Sequence, residues 1–104
     1  MAKYTIEDLA EGKCAVINDG TKIGNNCILR HSTTIGHKLL EDGSYSDSPI
    51  IGNNVDIGSN VCVIGSVNIG DNVKIGAGSV IVRDIPSNSI AAGNPARIIK
   101  SEGI

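Results

Sequence analysis

The sequence has no Phe, no Trp and only 2 Tyr among its 104 residues. Aromatic side chains supply much of the bulk in small cores, so a core built without them must be thin, regular and aliphatic. Basic clusters are missing too. The formal net charge is −2 and the pI is near 5.5, and no run of Lys or Arg offers an electrostatic footprint for nucleic acid, so no nucleic-acid partner is expected. No apolar stretch approaches the roughly 18 residues of a spanning helix, and Met1-Ala2-Lys3-Tyr4 does not open a secretory leader. The expectation is a cytoplasmic protein without membrane insertion. Cys14, Cys27 and Cys62 are widely spaced and form no Cys-x-x-Cys pair, so no metal site or redox pair is expected. They read as small apolar residues in a reducing compartment.

What remains is Gly, Ile and Val, and they recur with a period of six. Ile17, Ile23, Leu29 and Ile35 keep that spacing, and Ile51, Ile57, Val63, Ile69, Ile75 and Ile81 resume it. Two residues before each stands a small or medium side chain: Ala15, Thr21, Cys27, Thr33, Pro49, Val55, Val61, Val67, Val73 and Ser79. Positions two apart share a face of a strand. The aliphatic residue is often followed by Gly and then by turn formers, as in Gly24-Asn25-Asn26, Gly52-Asn53-Asn54 and Gly70-Asp71-Asn72. Gly, Asn and Asp tolerate the left-handed backbone of a tight corner. An inward pair and a corner, repeated every six residues, predict short strands of which three close a triangular coil. Stacked coils set Ile over Ile and Val over Val, a parallel β-helix solenoid. A sandwich of short strands does not explain a strict period of six.

The period breaks once, because Ile35 and Ile51 stand sixteen apart where two units would give twelve. Residues 37–48 are polar, carry Gly43 and have no period, which predicts a loop extruded from one corner, where binding residues tend to sit. A solenoid also needs covered ends. Residues 1–12 are the expected N-terminal cap, with a short helix begun at Thr5 and ended by Gly12. The repeats occupy 13–84, and 85–104 form a C-terminal capping segment with a short helical turn over 96–100.

The stretch Ile75-Gly76-Ala77-Gly78-Ser79-Val80-Ile81-Val82, then Asp84-Ile85-Pro86, then Ala92-Gly93-Asn94-Pro95-Ala96-Arg97-Ile98-Ile99 resembles the terminal signature of the left-handed β-helix acyltransferases. Together with Cys27-Ile28-Leu29-Arg30-His31-Ser32-Thr33-Thr34-Ile35-Gly36 and the loop before Pro49, it is most similar to serine acetyltransferases and related sugar or capsule acetyltransferases. The resemblance implies a left-handed helix, a homotrimer, and acetyl-CoA lying in the groove between subunits as acyl donor. It places Ser59 and Ala77 where small residues let the pantetheine arm approach, and offers Arg83 and Arg97 as partners for the CoA phosphates. The catalytic His of those enzymes falls at Glu11 here, and a second His, at the end of the loop, falls at Ser48.

Acyl transfer from a thioester to a hydroxyl or amine needs a base, a donor to the oxyanion, and two substrates held together. His31 and His37 are the side chains with an ordinary pKa near neutrality, so they are the candidate catalytic bases, His31 within a repeat and His37 at the start of the loop. Cys62 has no activating neighbour in sequence. Two functions follow: an acetyl-CoA-dependent O- or N-acetyltransferase acting on a small hydroxyl or amino acceptor, or a catalytically silent trimer with a structural role.

Overall fold

The computed structural model describes residues 15–17 and 19–101. The expected N-terminal cap and Glu11 lie outside the described residues. Among the described residues twelve short strands follow one another in chain order: β1 (Ala15–Ile17), β2 (Lys22–Ile23), β3 (Ile28–Leu29), β4 (Thr33–Gly36), β5 (Ile50–Ile51), β6 (Asp56–Ile57), β7 (Cys62–Ile64), β8 (Asn68–Ile69), β9 (Lys74–Ile75), β10 (Val80–Ile81), β11 (Ser89–Gly93) and β12 (Ala96–Ser101). They sort into three faces of a prism: β1-β4-β7-β10, then β2-β5-β8, then β12-β11-β9-β6-β3. Up to β10 successive strands pass to successive faces, and every third strand stacks in parallel on its predecessor, as a period of six with three units per coil demands; β11 then stacks on β9, and β12 turns back antiparallel to β11.

Register follows from the aliphatic series. Ile35 pairs with Ile17 and Val63, and Val63 with Ile81. Ile51 lies between Ile23 and Ile69. On the third face Leu29, Ile57, Ile75 and Ala91 are stacked in that order. These residues and the Val55, Val61, Val67 and Val73 series form one buried column. A one-residue slip would turn every Ile of a strand to solvent, so burial fixes the register. The polar residues buried at inward positions, Thr33, Ser79 and Ser89, are satisfied: their hydroxyls donate to the carbonyls of Arg30 at 2.7 Å, Gly76 at 2.6 Å and Ser87 at 3.3 Å.

The corner between the second and third faces shows why its sequence reads Gly-Asx-Asn. Asn26, Asn54, Asn72 and Asn88 have φ of 58°, 57°, 56° and 60°, in the left-handed region that Asn accepts. A Cβ on Gly52 would sit 2.8 Å from the backbone carbon of Gly70, so only glycine lets adjacent coils approach there. Side chains then link the coils. Asn25 N–H donates to Asn53 Oδ1 at 2.8 Å, Asn53 N–H to Asp71 Oδ1 at 2.7 Å, and Asp71 N–H to Ser87 Oγ at 2.8 Å.

The extruded loop is an ordered small hairpin. Leu39 bridges Tyr45 in antiparallel fashion, and Ser46 N–H donates to Lys38 O at 2.8 Å. Asp42 at its tip accepts from the hydroxyl and the backbone N–H of Ser44, which together hold its carboxyl below the usual carboxylate value.

The C-terminal end differs from the helical turn expected over 96–100. That segment lies in strand β12, antiparallel to β11, after a reversal through Gly93 at φ 107° and the cis Asn94–Pro95 peptide. The open edge of β11 requires backbone partners, and the β-branched pair Ile98-Ile99 suits a strand better than a helix. Ile85 and Ala91 carry the buried column past residue 84, with Ile85 bridging Ile69. Among the described residues no helix is long and apolar enough to cross a membrane.

Candidate functional site

The corner between the third and first faces gathers three of the residues singled out from sequence. His31, Ser59 and Ala77 occupy the same place in three successive coils: Asn60 N–H donates to His31 O at 3.2 Å, and Gly78 N–H donates to Ser59 O at 2.9 Å. His31 is exposed and Ser59 half-buried, and Ser59 Oγ lies 3.5 Å from His31 Nδ1. That contact was not legible in the sequence, where the two residues are 28 positions apart. It arises because the extruded loop lengthens the second coil, between β4 and β5, while leaving the corners in register.

This corner lacks the side-chain ladder of its neighbour. At the second–third corner each coil supplies an Asn, Asp or Ser oxygen to the backbone N–H beneath it. The equivalent acceptor above Ser59 N–H would have to come from Ala77, whose methyl group has none. The N–H groups of Ser59 and Ala77 consequently have no acceptor among the described residues. Two such backbone donors on adjacent coils, over a surface kept low by Gly58, Ala77 and Gly78, offer a track for an extended ligand bearing carbonyl oxygens. Gly58 is needed for this geometry, because a Cβ there would come within 2.6 Å of Ala77 N.

Beside His31, the guanidinium of Arg30 pairs with Asp56 on the next coil and donates to Ile57 O at 3.3 Å. The hydrogen bond to Asp56, together with its charge, raises the Arg30 pKa further above its ordinary value. Sequence reading passed over this pair, whose signal is an Arg one residue after Leu29 and an Asp one residue before Ile57, the aligned aliphatic positions of adjacent coils.

At the C-terminal end of the prism, Arg83 and Arg97 line one cleft of about 320 Å³ with Val82, Pro95 and Ala96, Arg83 standing two residues past Ile81 on the first–second side, as His37 stands past Ile35. The two cations are fourteen positions apart in sequence and are brought together by the β11–β12 reversal. His37 is not part of the corner. It opens the loop at the first–second corner, where its ring packs on Tyr45 with centroids 4.3 Å apart. Ser48, at the far end of that loop, borders a cleft of about 400 Å³ with Gly20, Lys22, Ser46, Asp47 and Ile50. A roomier depression of about 470 Å³ on the second face, near Ile50, Asn68 and Asp84, contains no histidine and none of the candidate residues.

A prism of six-residue strand-and-corner units with an open corner defines a solenoid of the hexapeptide class. The family model for bacterial transferase hexapeptide, six repeats, matches residues 48–83. The chain is 37% identical over 93 residues to a serine acetyltransferase of Synechococcus elongatus, covering 89% of this chain and 37% of that one. Its structure is similar to that of serine acetyltransferase from Neisseria gonorrhoeae, with a TM-score of 0.76 and 37% identity over 86% of this chain and 34% of that chain. It is also similar to a galactoside acetyltransferase in complex with coenzyme A, with a TM-score of 0.70 and 36% identity over 86% of this chain and 50% of the other. The chain belongs to the hexapeptide-repeat, left-handed β-helix acyltransferase family, and spans about a third of the length of the Synechococcus relative, 37%.

Proposed function

We propose that this protein is an acetyl-CoA-dependent O- or N-acetyltransferase acting on a small hydroxyl or amino acceptor in the cytoplasm. The observation that carries the reading is the open third–first corner, where a row of unpaired backbone N–H groups ends on His31. The donor's extended arm lies along the coils, its amide carbonyls accepting from Ser59 and Ala77 N–H. Three coil spacings, roughly 14 Å, separate the His31 level from the reversal that holds Arg97. Arg83 and Arg97 then take the phosphates, and the thioester reaches His31.

The chemistry asks little more. With Nδ1–H donating to Ser59 Oγ, His31 keeps a bare Nε2 that takes the acceptor's proton as its oxygen or nitrogen attacks the thioester carbon. The C–S bond breaks, and the proton returns from Nε2 to the departing thiolate. General-base assistance of this kind contributes about a hundred- to ten-thousand-fold.

The active form is a homotrimer. The first face presents Thr34, Cys62 and Val80 outward without a charge, and a thin prism gains from covering it. With that face toward a threefold axis, the third–first corner of one protomer lies beside the first–second corner of the next. The loop carrying His37 and Tyr45 thus closes over the neighbour's His31. Calorimetric titration with CoA, followed by thioester cleavage against a panel of hydroxyl and amino acceptors, tests the proposal. A trimer that binds no CoA would favour the silent structural role, consistent with Glu11 and Ser48 standing where the family resemblance calls for histidine.

A further inference from the structure

We infer that Arg30 is a positioning residue for His31: it lifts the His31 corner off the next coil and, through Asp56, ties it at one height. The inference rests on the reading of His31 as the base. The corner departs from its own repeat on both sides of the histidine. Leu29, Ile57 and Ile75 are aligned, so Arg30-His31-Ser32 occupies the place of Gly58-Ser59-Asn60 and Gly76-Ala77-Gly78. In the two later coils the first of the three is glycine, and a Cβ on Gly58 would come within 2.6 Å of Ala77 N on the coil beyond. Arg30 carries a Cβ at the equivalent position, and the bonds to the next coil are long. Arg30 N–H reaches Ile57 O at 3.3 Å, where Gly58 and Gly76 make the equivalent bond at 2.9 Å. Asn60 N–H reaches His31 O at 3.2 Å, where Gly78 N–H reaches Ser59 O at 2.9 Å.

The second departure is Ser32. Its φ of 61° matches the 59° of Asn60 and the 74° of Gly78, but serine tolerates the left-handed region less well than Asn or Gly. A strained residue persists where its surroundings over-determine it, and such residues gather at functional sites. Here both flanks are held. Thr33 Oγ1 donates to Arg30 O at 2.7 Å, and the Arg30 guanidinium spans the widened gap to the Asp56 carboxylate and to Ile57 O. An exposed ion pair adds little to the stability of a whole fold, so the effect of this one falls on the corner it ties. That corner carries the histidine ring, whose Nδ1 is held 3.5 Å from Ser59 Oγ.

The test uses the intact chain and two readouts. Hydrogen exchange of the Asn60 amide, which donates to His31 O, follows the corner, and kcat and KM with acetyl-CoA and an accepted acceptor follow the reaction. Arg30→Leu keeps the Cβ and removes the tie. Expected are Asn60 exchange faster by about 3- to 10-fold, a fall in kcat of similar size, and an unchanged KM for acetyl-CoA, because the donor track lies on the later coils. Ser32→Asn relaxes the corner without touching substrate. Alone it should keep the parent kcat, and combined with Arg30→Leu it should recover most of the loss, a coupling that a general loss of stability would not produce. Arg30→Lys, which keeps the charge opposite Asp56, should recover part of it. Parent exchange in Arg30→Leu, or the same fall in kcat with and without Ser32→Asn, would overturn the inference. A large fall in kcat for His31→Ala beside parent kcat in Arg30→Leu would keep the base and remove the positioning role. Faster exchange in Arg30→Leu, with parent kcat there and in His31→Ala alike, would uphold the tie and overturn His31 as the base.

Discussion

Replacing Ala77 with serine should strengthen the fold and weaken the donor site in the same variant. At the second–third corner, Ser87 Oγ accepts from Asp71 N–H at 2.8 Å, and Ala77 stands at the corresponding level above Ser59. A hydroxyl introduced at position 77 would take the N–H of Ser59 in the same way. One added neutral hydrogen bond contributes about 0.5–1.5 kcal/mol, and the exposure of this corner argues for the lower half of that range. For a chain of this size the gain corresponds to a rise in Tm of about 2–8 °C at fixed protein concentration. The same bond removes a donor from the arm of CoA, so Kd should rise about 3- to 10-fold. Thermal unfolding and calorimetric titration of one preparation read both effects. Asp71→Ala is the control in the opposite sense: it leaves Asn53 N–H to water, lowers Tm, and does not touch CoA affinity. If Ala77→Ser leaves Tm and Kd both unchanged, the Ser59 N–H is not an open donor and the account of this corner is wrong.

Light scattering at micromolar concentration should give three times the chain mass, and a monomer would remove the shared site. His31→Ala should lower turnover about a hundred- to ten-thousand-fold, with His37→Ala and Glu11→Gln as comparisons on confirmed trimers; a fall confined to Glu11→Gln would move the base outside the described residues. Arg83→Ala and Arg97→Ala should each weaken CoA binding more than binding of acetyl-pantetheine, which lacks the phosphates, and equal losses would exclude the cleft as a phosphate site. Asp42 should titrate below the ordinary carboxylate value of 3.8 and return to it in Ser44→Ala, as followed by NMR. Because its folded pKa is depressed, its help to the loop tip is complete above the ordinary value and is lost as pH falls through the lower one.

Most of the fold was legible because burial and backbone geometry are both written in single residues. An aliphatic residue every six positions can only face one core, and Gly-Asn-Asn or Gly-Asp-Asn can only be a corner at that spacing, so strands, faces and register followed together. The C-terminal segment was harder. Ala96 to Lys100 hint at a strand only through the β-branched pair Ile98-Ile99 and carry no sign of the partner they meet, the unpaired edge of β11. Periodicity could announce the end of the repeat but not the hydrogen bonds that the end leaves open.

The site divides along the same line. His31 was found in sequence as a titratable ring, and Ser59 and Ala77 through the family resemblance as small residues beside the donor's arm; the solenoid makes the three neighbours. What sequence could not rank was the absence of an acceptor at Ala77. In one corner the chain spends Asn53, Asp71 and Ser87 on holding its coils together, and in the other it leaves the same backbone donors bare. A solenoid selected for stability alone would have no reason to treat two equivalent corners differently. The asymmetry therefore locates the candidate site more sharply than either histidine does, and it directs the search for the acceptor to whatever can reach His31 beside an occupied track, from the side where the loop of a neighbouring protomer closes in the proposed trimer.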